Sequence, residues 1–510
     1  GALVQDSAPR AWPWGSTSFR TTGARPWQAE KSFRLFVGYE LWQGADRYVI
    51  LVRSMDPSSR RTVIWFALFI ASNVLVISGI ELSHDEAYYW VWSRFPDWGY
   101  FDHPPLIAWL IGLTAGWIDG EWGVRLGPCL TLAAAAWIVG RRIVPQNRQW
   151  AWWAGWTVFP LLSFASNLAV PDSALLSCAL LFFWSLQRFI EQDSTARALT
   201  IGACAALLLY AKYHGALLIV GAAVGAPELM KRKTFWLAAV AGLLLFAPHL
   251  HWQWQHAFPT LTYHLFQAHR GQPSLYRPLE FLLQQALSPG ILLAPWVWYV
   301  TIRMGRKDPF ERALLGMALT TLGVFFCFSF VKTIEGNWTM VAYLALLVLA
   351  LRAPEELWPS KRWLSTLGVA SALIMLGVKL LVSIPGAETR IKRLTEIRGW
   401  KNWSQAVDRE SNDCALVANS YQIASKLSFY TKRLVPSLNI GSRSNQFDLW
   451  HWEENLKGKP VCWLTSLDKF PGVSLPTPRG NRLRLVRNLT IEELLALKAA
   501  APNRLPSTKN

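Results

Sequence analysis

The sequence predicts a mainly α, polytopic membrane protein with about eleven transmembrane helices and a small C-terminal α/β domain outside the membrane. Three observations carry this. Apolar runs recur between residues 62 and 384 of a 510-residue chain that is 52% hydrophobic, at lengths near the roughly 20 residues a helix needs to cross a bilayer. Lys and Arg collect in alternate loops between those runs, as cytoplasmic loops require. After Ile384 the composition turns polar and mixed.

Residues 1–54 mix Trp, Arg, Gly and Ser without a steady period or an apolar signal-like run. They predict a disordered or non-native extension ahead of Met55, with an amphipathic anchor as the sharper alternative. Residues 55–384 form the membrane domain. Its spans are expected near 62–80, 124–140, 150–167, 173–190, 197–211, 214–229, 234–250, 281–300, 311–330, 338–352 and 363–384. Leu106–Ile118 is short and soon followed by Asp119 and Glu121, which predicts an interfacial or re-entrant helix. Arg60 and Arg61 put the start of the first span in the cytoplasm, and an odd number of crossings then puts the C-terminus outside. About seventeen basic residues fall in the loops so assigned to the cytoplasm and six in those assigned outside. Residues 385–510 read as a soluble extracytoplasmic domain, with strand-like runs at 415–417, 461–464 and 482–486 and a helix at 421–430.

The net charge of +18 and mean hydropathy of +0.19 exclude a soluble nucleic-acid binder, because the basic residues sit between apolar spans and form no single patch. They suit membrane lipids and an anionic lipid-phosphate ligand. Cys129, Cys178, Cys204 and Cys327 lie in apolar runs and read as small buried hydrophobes. Cys414 and Cys462, in the polar tail, are expected as free buried thiols, with a disulfide as the alternative.

The ionisable groups gather in one assigned face. Asp85 and Glu86 directly follow the first apolar run, among Tyr88, Tyr89, Trp90 and Trp92. Asp102 and His103 follow after Gly99-Tyr-Phe and before a Pro-Pro stop. A carboxylate such as Asp85 can take the proton from an attacking hydroxyl, with Glu86 next in line. The bland reading is an acidic loop capping a helix. Asp172, after Val170-Pro, is expensive at a membrane boundary and reads either as a site residue or as a helix N-cap. Lys212 suits a phosphate or snorkels to headgroups. Lys332 and Glu335 suit substrate contact or pair with each other. A divalent metal, held by Glu86 with a histidine from the cluster at 249–269, is left open, although His249/His251 and His264/His269 lack the helical metal-pair spacing.

Asp85-Glu86-Ala-Tyr-Tyr-Trp90 and Trp98-Gly-Tyr-Phe-Asp-His-Pro-Pro-Leu106 resemble the first outer loop of bacterial polyprenyl-phosphate-sugar glycosyltransferases. These belong to the superfamily of protein O-mannosyltransferases and the lipid A aminoarabinose transferases. The similarity continues through Val170-Pro-Asp-Ser-Ala-Leu175, Ala211-Lys-Tyr-His-Gly215, His251-Trp-Gln-Trp-Gln-His256 and Glu335-Gly-Asn-Trp338. It implies a GT-C-like fold in a bacterial inner membrane, an active site on the periplasmic side, Asp85 as the catalytic aspartate and Lys212 near the donor phosphate. The implied donor is a polyprenyl-phosphate-linked sugar and the implied acceptor is lipid A or a related glycan, with a protein acceptor as runner-up. His103 stands where the aminoarabinose transferases carry a lysine, a departure that leaves the sugar open. A lipid-carrier transporter is the alternative of another class. It would spread its charges along mid-membrane, whereas these gather at one face.

Overall fold

The computed structural model describes residues 56–263, 274–304, 307–467 and 470–501. The extension 1–54, Met55, His264 and His269 lie outside the described residues. Residues 61–510 group as one compact unit. The helices of the apolar region are α1 (Pro57–Gly79), α2 (His84–Ser93), α3 (Leu106–Ala115), α4 (Gly120–Arg142), α5 (Gln149–Val158), α6 (Pro160–Ala165), α7 (Pro171–Glu191), α8 (Thr195–Ala211), α9 (Gly215–Gly225), α10 (Lys233–Gln255), α11 (Pro259–Thr262), α12 (Tyr276–Leu287), α13 (Ala294–Arg303), α14 (Pro309–Ser329), α15 (Met340–Arg352) and α16 (Lys361–Ser383). The polar tail adds α17 (Trp400–Glu410), β1 (Ala415–Ala418), α18 (Tyr421–Thr431), α19 (Gln446–Leu449), β2 (Val461–Thr465), β3 (Val473–Pro476), β4 (Arg482–Leu489) and α20 (Ile491–Ala500).

Among the described residues six helices, not eleven, are long and apolar enough to cross a membrane: α1, α4, α7, α10, α14 and residues 366–383 of α16. The difference has local causes. The expected span 150–167 is broken at Phe159, which is extended so that Pro160 can open α6 at the position where a missing N–H costs nothing. The span 281–300 is broken at Gly290, whose φ of +91° lies in the left-handed region. The shorter α8, α9 and α15 are apolar but fall short of spanning length. In α15 every residue from Met340 to Leu351 is buried. Gly221 of α9 and Gly316 of α14 let those two backbones touch. A Cβ on Gly316 would sit 2.2 Å from the Gly221 carbonyl oxygen, the close approach that small residues permit between membrane helices.

The tail contains a four-stranded sheet of order β1-β2-β4-β3. β1 runs parallel to β2, and the β2/β4 and β3/β4 pairs are antiparallel. Strands β1, β2 and β4 and helix α18 match the sequence expectation, while β3, α17 and α20 were not foreseen. The tail shares its core with the first loop. Phe447 stacks on Tyr88 at 6.0 Å, and Phe429 meets Trp90 edge-on at 5.0 Å. Glu81 accepts the backbone N–H groups of Trp400 and Lys401, at the start of α17.

Cys414 and Cys462 are not free thiols; they form a disulfide with their Cα atoms 5.6 Å apart. The parallel register that sets Leu416 opposite Cys462 brings the two together, and a register between distant strands is not readable from either run alone. Alkylation of the denatured protein without reductant should therefore modify four of its six cysteines. Reduction should expose all six, and modification of six before reduction would contradict the bond.

Candidate active site

The helix after the first span is built to hold one carboxylate in place. Ser83 caps α2: its hydroxyl accepts from Glu86 N, and Glu86 Oε2 accepts from Ser83 N at 2.9 Å, a reciprocal capping box. Glu86 is fully buried, and Arg125 of α4 binds it through two bonds, Nε to Oε1 at 2.7 Å and Nη2 to Oε2 at 2.8 Å. The same guanidinium donates to the carbonyls of Ile77, Ile80 and Glu81, at and just beyond the end of α1. Glu86 Oε1 also accepts from Ala169 N at 3.0 Å, just before α7. Burial alone would raise the Glu86 carboxyl, and Arg125 more than offsets this, so it lies below its ordinary value. Glu86 therefore does not open onto the cavity described next.

Asp85, one position earlier, points into a cavity of about 890 Å³. Its side chain is exposed to this space, yet protein surrounds the space closely enough to strip much of its hydration. This desolvation, followed by the repulsion of Asp102, raises its pKa from 3.8 to about 6. Asp102 is buried between Tyr88, whose hydroxyl donates to Oδ2 at 3.0 Å, and Arg443, whose Nη1 donates to Oδ1 at 2.6 Å. His103 lines the same end beside Tyr89.

Further along, Asp172 lies in the first turn of α7 but does not cap it; the N-cap position is Val170, with no side-chain bond. Instead Asp172 Oδ1 accepts from Lys212 Nζ at 2.8 Å, and its Oδ2 accepts from Asn337 Nδ2 at 3.0 Å. Lys212 is thus turned inward and does not snorkel. Lys332 lies over the Trp338 and Phe328 rings, at 4.7 and 5.0 Å, and burial holds its ammonium below the ordinary lysine range. Glu335 is exposed and is absent from the cavity lining. The far wall is apolar: Pro160, Leu161 and Phe164 of α6, Leu217 of α9, and Phe325 and Phe328 of α14.

The cavity brings together Asp85, Asp102, His103, Asp172, Lys212 and Lys332, but not Glu86 or Glu335. Sequence reasoning missed Tyr421 and Arg443, which the tail contributes to it, and counted Arg125 as a loop charge although it is fully buried within α4. A lone arginine in a small-residue apolar run was the available signal for Arg125.

Glu86 offers no free oxygen to a metal. Both Glu86 oxygens are occupied, and both nitrogens of His249 are hydrogen-bonded at 2.7 Å, to the Trp98 carbonyl and the Tyr213 hydroxyl. The carbonyl can only accept, so Nδ1 donates to it. His256 stacks on Trp252 at 4.2 Å. Among the described residues the one cluster of metal-ligand type is Asp413, Cys414 and Cys462, with ligand atoms within 4.8 Å of one another. Its sulfurs are joined as the disulfide, so it offers thiolates only after reduction.

The family profile described as dolichyl-phosphate-mannose-protein mannosyltransferase matches residues 102–252. The lipid A galacturonosyltransferase RgtD of Rhizobium johnstonii is 28% identical over 375 residues, covering 68% of this chain and 77% of that one. ArnT from Cupriavidus metallidurans in its apo state superposes with a TM-score of 0.60 at 13% identity, over 85% of this chain and 99% of ArnT. The fold is that of ArnT. A second ArnT structure, bound to undecaprenyl phosphate, superposes with a TM-score of 0.59 at 14% identity, over 84% and 98% of the two chains. The chain is thus related by sequence to membrane sugar transferases and carries the ArnT architecture, GT-C-like and mainly α with a small α/β tail.

The ion pair beneath this site should be indispensable. Glu86→Gln leaves Arg125 buried and uncompensated, which should cost about 3–5 kcal/mol, read as a large drop in melting temperature of the detergent-solubilised protein. Adding Arg125→Met to Glu86→Gln should cost much less than the two single changes summed. Additive losses would mean that the two side chains act independently.

Proposed function

We propose that the protein moves a sugar from a polyprenyl-phosphate carrier to lipid A or a related envelope glycolipid. It is an integral-membrane glycosyltransferase. The observation that carries the reading is the mixed chemistry of one cavity. Its lining combines carboxylates and tyrosines suited to a sugar, Lys212, Lys332 and Asn337 suited to a phosphate, and apolar side chains suited to a prenyl chain. The lipid A acceptor is supported by the activity for which the Rhizobium relative is named, and the prenyl phosphate by the ligand of the second ArnT structure.

In this reading an acceptor hydroxyl attacks the anomeric carbon while the bond to the phosphate oxygen breaks. The electron pair leaves with the phosphate, and Asp85 takes the hydroxyl proton. The departing phosphate gains a negative charge. Lys212, braced by Asp172, and Lys332, which bears on aromatic rings, are placed to hold it. An acceptor phosphate in place of a hydroxyl would need no base, and Asp85 would then stabilise the positive charge developing on the sugar. Glu86 acts as a positioning residue that fixes the helix carrying Asp85.

The cavity faces the periplasm in this account, with the membrane domain spanning 55–384 and the extracytoplasmic domain 385–510. Counting the broken pairs α5/α6 and α12/α13 and the short helices α8, α9 and α15 as crossings restores the odd number of passes that sets the tail outside. A single cysteine at exposed Lys457, in a background without the four free thiols, should react with an impermeant maleimide from the periplasmic side. Reaction only from the cytoplasmic side would reverse the orientation.

Transfer to a hydroxyl acceptor should need ionised Asp85, so the rate should fall as pH drops through about 6. Asp85→Asn should lower kcat by about a hundredfold or more. Asp102→Asn removes a like charge beside Asp85 and should shift the acidic limb to lower pH. A limb that stays in place would remove Asp85 as the titrating group.

A further inference from the structure

A second cavity, of about 240 Å³, is lined by residues of α1, α5, α13, α15 and α16. Its walls are tryptophan rings and aliphatic side chains, among them Trp65, Trp296 and Leu347. Among the described residues its lining holds one charged group, Arg61, and no acid. Arg61 lies over the Trp150 ring, with Cζ 5.2 Å from the centroid, and is itself exposed. Along α5 the lining runs from Trp150 to Val158, about 12 Å of helix, so the apolar space extends away from the cation. Gly368 of α16 keeps part of it open, since a Cβ there would meet nothing within 4 Å. A second guanidinium, Arg148, lies 4.4 Å over the Trp358 ring of the same lining. It is buried and donates to the carbonyls of Leu351 and Ala353. A snorkelling arginine would need headgroups beside it but no cavity, and a packing gap would need no cation.

We propose that this cavity binds one anionic glycerophospholipid of the surrounding bilayer, with an acyl chain in the apolar slot and the phosphate on Arg61. The site is separate from the sugar reaction and does not depend on it. Arg61 lies in the first turns of α1, and Asp85 follows the far end of that helix. From Arg61 to Gly79 is about 27 Å of helix. A phosphate on Arg61 is therefore a helix length from Asp85, and a sugar carrier with its phosphate in the larger cavity does not reach it with that group. Charge complementarity selects the ligand: a lone cation on an acid-free lining favours an anionic headgroup over a zwitterionic one. Bilayer chains are already in an apolar medium, so the walls supply shape and Arg61 supplies the preference. Phe159 lines this cavity and Pro160 the larger one. The bound chain thus packs behind the break between α5 and α6 and backs the apolar wall of the active cavity.

The test is competition between two lipids with the same acyl chains, phosphatidylglycerol and phosphatidylcholine, on the full-length protein in detergent. Bound lipid is counted by native mass spectrometry. The wild type should retain one phosphatidylglycerol with a preference of about tenfold, as expected of one charge-assisted contact. Arg61→Gln should abolish that preference, and Arg61→Lys, which keeps the charge but not the fork, should keep part of it. Gly368→Leu places a side chain in the slot and should lower retention of both lipids about tenfold. Its melting temperature in lipid-free detergent should not fall, because leucine favours a helix over glycine. Equal retention of the two lipids by the wild type would overturn the proposal. So would phosphatidylglycerol held at the wild-type level by the Gly368→Leu protein, which would place the lipid elsewhere on the surface. A third contrary result is displacement of phosphatidylglycerol by equimolar undecaprenyl phosphate, which would assign the cavity to a prenyl chain. Protection against heat by inorganic phosphate equal to that by phosphatidylglycerol would also contradict it, since the acyl chain would then contribute nothing.

Discussion

The Glu86–Arg125 ion pair is the constraint on which the polar end of this structure depends. It is fully buried, and in isolation each charge would be strongly disfavoured there. What makes it tolerable is saturation: Glu86 accepts from Ser83, Ala169 and Arg125, while Arg125 also closes the last carbonyls of α1. One pair of side chains therefore ties the end of α1, the start of α2, the N-terminal part of α4 and the segment entering α7. Asp85 gains its orientation from this, since it is fixed to the same helix turn as Glu86 but points about 100° away around the helix. Asp172 gains its position too, because Ala169 lies just before it. Two of the three acids that line the cavity, Asp85 and Asp172, are thus placed by Glu86, which does not line it.

Within the cavity, charge is arranged in pairs with one residue of each sign outside them. Asp102 is matched to Arg443 and Asp172 to Lys212. Asp85 and Lys332 stand apart, and burial shifts each towards its neutral form. Group transfer needs this difference. A base must be able to take a proton near working pH, and a cation held by aromatic rings is available to a phosphate that gains charge as it leaves.

Parts of this were legible in the sequence because they are local. Asp85, Asp102 and His103 lie within one loop, and the apolar runs carried the membrane class directly. The number of crossings was not legible, because a hydropathy window passes over the break at Pro160 and cannot see that α15 is enclosed by protein instead of lipid. Arg125 looked like a loop charge because its partner lies 39 residues away on another element. Arg443 and Asp102 are 341 residues apart, and the packing of the tail onto the first loop, as by Phe447 on Tyr88, brings them together. The disulfide depended on a strand register in the same way. Sequence pattern reports which groups are costly to bury, and the fold decides which of them meet.

The central claim is that this cavity transfers a sugar onto an envelope glycolipid. Mass spectrometry of lipid A from cells with and without the gene tests it most directly. The account predicts a species heavier by one glycosyl unit that is present only with the gene, and that returns when the wild-type protein is restored. A lipid A and surface-glycan profile unchanged by the deletion would contradict it.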